Sequence, residues 1–339
     1  MTSVALGNSS LMVSRVILGA WSFGGWYWGG ADDGQSRDAL HAAVDAGITS
    51  IDTAPVYGFG RSEEVVGAAI QGIRDRVQIM TKVGLRWDTD EGAHFFDTVD
   101  PEGRSWRITR NLRPDSVRWE VEQSLQRLGV DRIDLVQCHW PDPTTPIPDT
   151  MGALRDLHEA GTIGAIGVSN FSVAQLEEAQ QALGSVPLAS NQPRYSLIHR
   201  EIEKAVLPHC SAHNIGLVVY SPMGRGILTG RVTMDRVFPD GDGRRDDPLY
   251  HPENRAVILQ ALEDVRAIAA SHDITLANLA VAWVLHQEGI TSALVGARTA
   301  DQARENARAM AVRFTEAELA RLTEVFEAVR INKRPGARA

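Results

Sequence analysis

Short apolar runs alternate with helix-periodic stretches along almost the whole chain, and that rhythm predicts its architecture. Val16-Ile17-Leu18-Gly19 and the runs over 48–51, 77–83, 133–139, 163–168, 188–191, 217–220 and 293–295 read as eight strands. Between them, apolar residues recur at helical spacing over 39–46, 116–128, 151–160, 173–183 and 202–213, and later over 256–270, 276–286, 302–310 and 316–329. Gly47 and Gly129 act as stops, while Ser62 as N-cap, with Glu63 and Glu64 in the first turn, starts a further helix. Two short runs, 4–6 and 11–13, flank a Gly7-Asn8-Ser9-Ser10 turn and predict an amino-terminal hairpin. Strand–helix alternation implies a parallel sheet. Eight repeats with no linker-like shift in composition predict one closed (β/α)8 barrel over 1–330. An open doubly wound sheet fits less well. Long loops are expected after the third and seventh strands (85–114 and 221–252), with extra helices near the carboxyl end and a frayed tail over 331–339.

Composition narrows the classes. The 339 residues are 43% hydrophobic and 23% charged, which suits an ordinary globular protein. Only Cys138 and Cys210 are present, so no disulfide framework is expected and a reducing compartment fits. No signal-peptide pattern and no apolar run of the ~20 residues a spanning helix needs is visible, so the expectation is a cytoplasmic protein with no membrane partner. A net charge of -9 argues against nucleic acid as a partner.

The candidate chemistry lies at strand ends. Asp52 closes the second strand and Tyr57 follows just beyond Pro55; Lys82 closes the third strand and His139 the fourth. Each alone fits a cap, a turn residue or a solvated side chain. In a parallel barrel, however, all the carboxyl ends open into one mouth, with neighbouring strands about 5 Å apart. Four residues of complementary type on three successive strands would therefore converge.

These residues, with their surroundings, resemble the aldo-keto reductase superfamily. Gly47-Ile48-Thr49-Ser50-Ile51-Asp52-Thr53-Ala54, with Tyr57-Gly58 and Ser62-Glu63, is similar to its first signature. Asp134-Leu135-Val136-Gln137-Cys138-His139-Trp140-Pro141 carries its histidine; Ile166-Gly167-Val168-Ser169-Asn170-Phe171 and Asn191-Gln192 resemble its nicotinamide-contacting segments. The resemblance implies an NADPH-dependent oxidoreductase acting on an aldehyde, ketone or sugar, with Asp52, Tyr57, Lys82 and His139 as the catalytic set. The chemistry agrees: hydride delivered to a carbonyl carbon leaves charge on oxygen, and that oxygen needs a proton or a donor. Tyr57 is expected as acid in reduction and base in oxidation, with Lys82 lowering its pKa from about 10 and Asp52 holding Lys82 charged. His139 would donate to the carbonyl oxygen; its acting as the acid in place of Tyr57 is the competing assignment.

The same resemblance implies cofactor contacts at Gly19, Ala20 and Trp21, at Asp52, and at Ser169, Asn170 and Gln192 for the carboxamide. Tyr220 would stack on the nicotinamide. Ser221, Pro222, Met223, Gly224, Arg225, Gly226 and Leu228 would wrap the pyrophosphate, and their glycine spacing departs from a dinucleotide-binding fingerprint. Gly296, Ala297, Arg298, Gln302, Glu305 and Asn306 resemble the adenosine-phosphate segment, where Arg298 and Thr299 at a helix start suit a 2′-phosphate and favour NADP(H). Trp21, Tyr57, Trp87, His139 and Trp140 are expected to line the substrate pocket. The series Arg104, Arg107, Arg110, Arg113 is either solvated and paired or an anchor for an anionic substrate. His209, Cys210 and His213 have metal-like spacing but no second ligand group, so no metal is expected. The expected partner is a small carbonyl or alcohol, and the expected assembly a monomer or small homo-oligomer. An alternative of another class is a cofactor-binding regulatory subunit resembling channel-associated β proteins, with little turnover.

Overall fold

Eight parallel strands close into a barrel in the computed structural model, which describes residues 3–100, 102–239 and 242–332. The last seven residues of the expected tail lie outside that range. β1 (Ser3–Ala5) and β2 (Met12–Ser14) form the antiparallel hairpin. The barrel then runs through β3 (Val16–Gly19), β4 (Ser50–Asp52) and β5 (Gln78–Val83). Three short strands leave it, β6 (Leu85–Arg86), β7 (Ala93–Val99) and β8 (Ser105–Arg110). β9 (Ile133–Cys138), β10 (Ile163–Ser169), β11 (Leu188–Gln192), β12 (Gly216–Val219) and β13 (Ile290–Gly296) complete it, and β13 closes on β3.

The outer layer follows the apolar periodicity: α1 (Asp33–Asp45), α2 (Arg61–Ile70), α3 (Pro114–Leu128), α4 (Ile147–Glu159), α5 (Val173–Leu183), α6 (Val206–Ala212), α7 (Pro252–Ser271), α8 (Leu276–His286), α9 (Ala300–Arg308) and α10 (Glu316–Glu327). Strand side chains alternate between two environments. Ile17, Met80, Leu135, Ala165, Ala189, Val218 and Leu294 fill the barrel interior, and Leu6 and Val13 of the hairpin plug its amino-terminal end. The other faces pack against the helices. At the opposite end the mouth is left to polar side chains and aromatics.

Three expectations are corrected. Residues 85–114 are not an irregular loop: β6, β8 and β7 form a three-stranded antiparallel sheet. A register shift between His94 and Phe96 breaks the two-residue alternation by which a strand is recognised in sequence. Ser62 is not the N-cap of α2, a role that Gly60 holds; Ser62 lies inside the first turn, donating to the Ala20 carbonyl at 2.7 Å. The helix expected over 202–213 is a 3-10 turn (Glu201–Lys204) followed by the shorter α6. The segment after β12 is irregular as expected, with short 3-10 turns at Gly224–Thr229 and Pro248–Tyr250.

Candidate functional site

β3, β4, β5 and β9 are consecutive in the barrel, so their carboxyl ends share one rim. Asp52 ends β4 and Lys82 points inward from β5, both buried. Lys82 Nζ donates to Asp52 Oδ1 at 2.5 Å, to the Thr53 carbonyl at 3.0 Å and to Tyr57 Oη at 3.3 Å. The other Asp52 oxygen accepts from Gln137 Nε2 at 3.2 Å and from Gln192 Nε2 at 2.9 Å. Every polar atom of the ion pair is therefore held, as a buried charge requires. His139 follows β9, tied to β5 by its N–H to the Val83 carbonyl at 2.9 Å, and its ring meets Tyr57 edge-on with centroids 5.6 Å apart. The four expected residues are brought together.

Tyr57 is placed by a close crossing of two loops. At Gly58 φ is +66°, and a Cβ there would stand 2.3 Å from the Gly24 carbonyl oxygen, so only glycine fits. The crossing presses the loop after β3 against the loop after β4 and sets Trp21 against Tyr57, ring centroids 5.9 Å apart.

Burial opposes charge on Lys82, yet Asp52, with Tyr57 behind it, lifts its pKa above the ordinary lysine value. Burial likewise raises Tyr57 above its ordinary value; Lys82 opposes that and Asp52 adds to it. The expected lowering of Tyr57 is thus reversed in net direction, because taking a phenolate out of water outweighs the neighbouring ammonium. Burial, with the charge of Lys82 added, holds His139 well below its ordinary value, so the ring is neutral.

Beside this cluster the expected cofactor residues form a second one. Ser169 Oγ donates to the Gln192 carbonyl at 2.7 Å, Asn170 Nδ2 donates to Ser169 Oγ at 2.9 Å and to the His139 carbonyl at 3.3 Å, and Tyr220 Oη donates to Asn170 Oδ1 at 3.0 Å. Asn170 and Ser221 hold positive φ, of 62° and 57°. Gly19 pairs with Asp52 on one side and Gly296 on the other, and the Ala20 N–H donates to the Asp52 carbonyl at 2.8 Å. Ser221, Pro222, Met223, Gly224, Gly226 and Leu228 run along the rim as a turn, in which Arg225 and Gly226 also take positive φ. Three buried donors there lack partners among the described residues: the indole N–H groups of Trp21 and Trp28 and Nε of Arg225. Trp21 and Trp28 rings are 5.5 Å apart and the Arg225 guanidinium is 5.9 Å from Trp21, so the orphans cluster. Unsatisfied donors clustered at the rim fit an acceptor-rich ligand such as a dinucleotide cofactor.

Several expected contacts are already engaged. Gln192 binds Asp52, and Arg225 pairs with Asp247 at 2.9 Å. Arg298 donates to the carbonyls of Trp28 and Gly30, both at 3.1 Å, so its guanidinium clasps the first loop. Thr299 caps α9, Gln302 Oε1 accepts from the Arg298 N–H at 2.8 Å, and Asn306 Nδ2 donates to the Gly296 carbonyl at 3.1 Å, beside a buried Ala297. Glu305 accepts from Arg231 and Thr275, both at 2.8 Å. Gln137 was missed in sequence, although it lies two residues before His139 and so on the same strand face.

The aromatic wall is real but unevenly placed. Trp21 stands at Tyr57, whereas Trp87 packs on Phe59 and Trp140 on Phe95, further out. Trp106 and Phe96, from the unforeseen sheet, belong to the same cluster. His209 and His213 stack on each other with Cys210 buried between them in sequence. No helix among the described residues is singly long and apolar enough to cross a membrane.

A parallel eight-stranded barrel with a buried Asp–Lys–Tyr chain and a neighbouring histidine at its mouth is the architecture of a known class. The family model described as "Aldo/keto reductase family" matches residues 15–327, and the chain belongs to that family. An aldo-keto reductase, YhdN, of Bacillus subtilis (strain 168) is 39% identical over 305 residues, 89% of this chain and 86% of the relative. An NADH-specific methylglyoxal reductase of Escherichia coli (strain K12) is 36% identical over 335 residues, covering 97% of this chain and 99% of the relative. Among solved structures, the glycerol dehydrogenase of Gluconobacter oxydans superposes with a TM-score of 0.87 at 37% identity, covering 100% of this chain and 99% of that one.

Proposed function

We propose that the chain transfers a hydride between NADP(H) and a small carbonyl or alcohol, with Tyr57 as general acid in reduction and general base in oxidation. One observation carries this: Lys82 Nζ is bonded at once to Asp52 and to the phenol oxygen of Tyr57, which faces the mouth. When bound, the nicotinamide would supply the hydride. As charge builds on the carbonyl oxygen, Tyr57 gives up its proton to it, and Lys82 stabilises the phenolate left behind. Asp52 keeps Lys82 charged and aimed. Neutral His139 has a ring N–H to offer the same oxygen and would help choose the binding pose. Ser169, Asn170 and Gln192 are the donors and acceptors for a carboxamide, and Tyr220 offers a ring beside it. The relatives' named substrates, methylglyoxal and glycerol, are both small and oxygenated, which is consistent with a compact polar mouth ringed by aromatics.

The coenzyme choice rests on Arg298. At the start of α9 it can exchange the Trp28 and Gly30 carbonyls for a 2′-phosphate. Arg298→Ala is expected to lower kcat/KM for NADPH by about 10- to 100-fold (two charge-assisted bonds) and to leave NADH nearly unaffected; equal losses for both would reject the assignment. The function itself is tested by coenzyme consumption over aldoses, α-dicarbonyls, aromatic aldehydes and ketones, with Tyr57→Phe as control. Tight NADPH binding with no turnover of any carbonyl would favour the regulatory reading instead.

A further inference from the structure

Of the arginine series over 104–113, Arg104 pairs with Asp100 and Glu102, and Arg113 with Glu91 and Asp115. Arg107 is exposed to solvent. Arg110 differs from all of these. It is half-buried at the end of β8, paired in register with Leu85 and Ala93. Among the described residues no carboxylate forms an ion pair with it; its one hydrogen bond is a long 3.4 Å contact from Nη1 to the Pro141 carbonyl, and its buried Nε has no partner. Its guanidinium lies 5.0 Å from the ring of Phe95, which packs on Trp140. A guanidinium has five donors and keeps its charge, so a half-buried one against aromatic rings with a single weak bond is costly unless something completes it.

Its position says what completes it. Pro141 is two residues from His139, and Leu85 three from Lys82. Phe95 and Trp140 belong to the same aromatic cluster as Tyr57, so Arg110 stands on the wall of the mouth. We propose that Arg110 is the specificity-determining residue of the mouth, and that the preferred substrates are short-chain aldehydes or ketones with an oxyanion, carboxylate or phosphate, at the end remote from the carbonyl. This rests on the reading of Tyr57 and His139 as the carbonyl's partners. The planar fork of Arg110 takes the oxyanion in two parallel bonds, while Phe95 and Trp140 cover the carbon chain.

Matched substrate pairs test it: 4-oxobutanoate against butanal, and glyceraldehyde 3-phosphate against glyceraldehyde, the two pairs separating carboxylate from phosphate. The expected result is a kcat/KM at least tenfold higher for the charged member of one pair or both. In Arg110→Gln the KM of the charged member should rise at least tenfold more than that of its neutral twin, with partial recovery in Arg110→Lys. A wild type that prefers the neutral twins, or a preference that survives in Arg110→Gln, overturns the proposal. If no carbonyl turns over, the hydride-transfer reading fails separately. Succinate and inorganic phosphate binding, read by tryptophan fluorescence, then decides on Arg110: weakening of either in Arg110→Gln supports it, and equal binding of both rejects it.

Discussion

Two ion pairs built on buried carboxylates lie on opposite faces of β5, and only one of them ends at the mouth. Thr81 and Lys82 are neighbours whose side chains leave the strand on opposite faces. Outside the barrel, Glu63 of α2 accepts from Thr81 Oγ1 at 2.6 Å and from Arg127 Nε of α3 at 2.7 Å, one partner for each oxygen. Inside, Asp52 accepts from Lys82, Gln137 and Gln192, and Lys82 passes one further bond to Tyr57. The outer chain closes on itself between two helices and the strand. The inner one ends on a phenol that opens toward the mouth. Burial and charge are common to both, so neither singles out a candidate site; the unfinished end does.

Breaking the inner pair should cost on both counts. Lys82→Met leaves Asp52 buried with only two amide partners, and the expected loss is about 3–5 kcal/mol of stability by denaturant unfolding. Under the proposed mechanism it also removes the support of the phenolate, so kcat should fall by about 10²–10⁴-fold. Breaking the outer pair should cost on one count alone. Arg127→Met strands Glu63 and should lose a similar ~3–5 kcal/mol, while the folded enzyme keeps its kcat. A large kcat loss in that variant would erase the distinction between the two pairs.

A third buried carboxylate sharpens the comparison more gently. Glu120 of α3 accepts from the Gly84 N–H at 2.9 Å, its other oxygen has no partner among the described residues, and burial pushes its pKa up to about 8. The folded state therefore holds this proton more tightly than the unfolded chain. Its contribution is complete below the unfolded value of about 4.5 and is lost as pH rises toward about 8. Thermal stability is expected to decline across that window, and Glu120→Gln should flatten the decline. An unchanged slope in the variant would show that Glu120 does not carry it.

The barrel was legible because buried parallel strands and amphipathic helices write different periods into sequence, and eight such pairs rarely arise otherwise. Asp52, Lys82 and His139 were legible because strand ends in a barrel converge whatever their separation along the chain. The sheet over β6, β7 and β8 was not, since its bulge at His94 disrupts the alternation and its turns carry the polar residues of a loop. Nor was the engagement of Arg298 with Trp28 and Gly30, or of Gln192 with Asp52, because such partners depend on three-dimensional approach over 268–270 and 140 residues of separation. The direction of the Tyr57 shift needed the depth of burial, which residue types do not encode.

The central claim, that the inner chain of bonds ends in a proton-transferring phenol, is tested most directly by the pH dependence of alcohol oxidation in wild type and Tyr57→Phe. A base whose pKa is raised by burial is scarce at neutral pH, so wild-type kcat should climb through the alkaline range toward and beyond pH about 10. Tyr57→Phe should bind coenzyme normally and show a low, flat profile. Retention of the wild-type rate and its pH dependence in Tyr57→Phe would contradict the account.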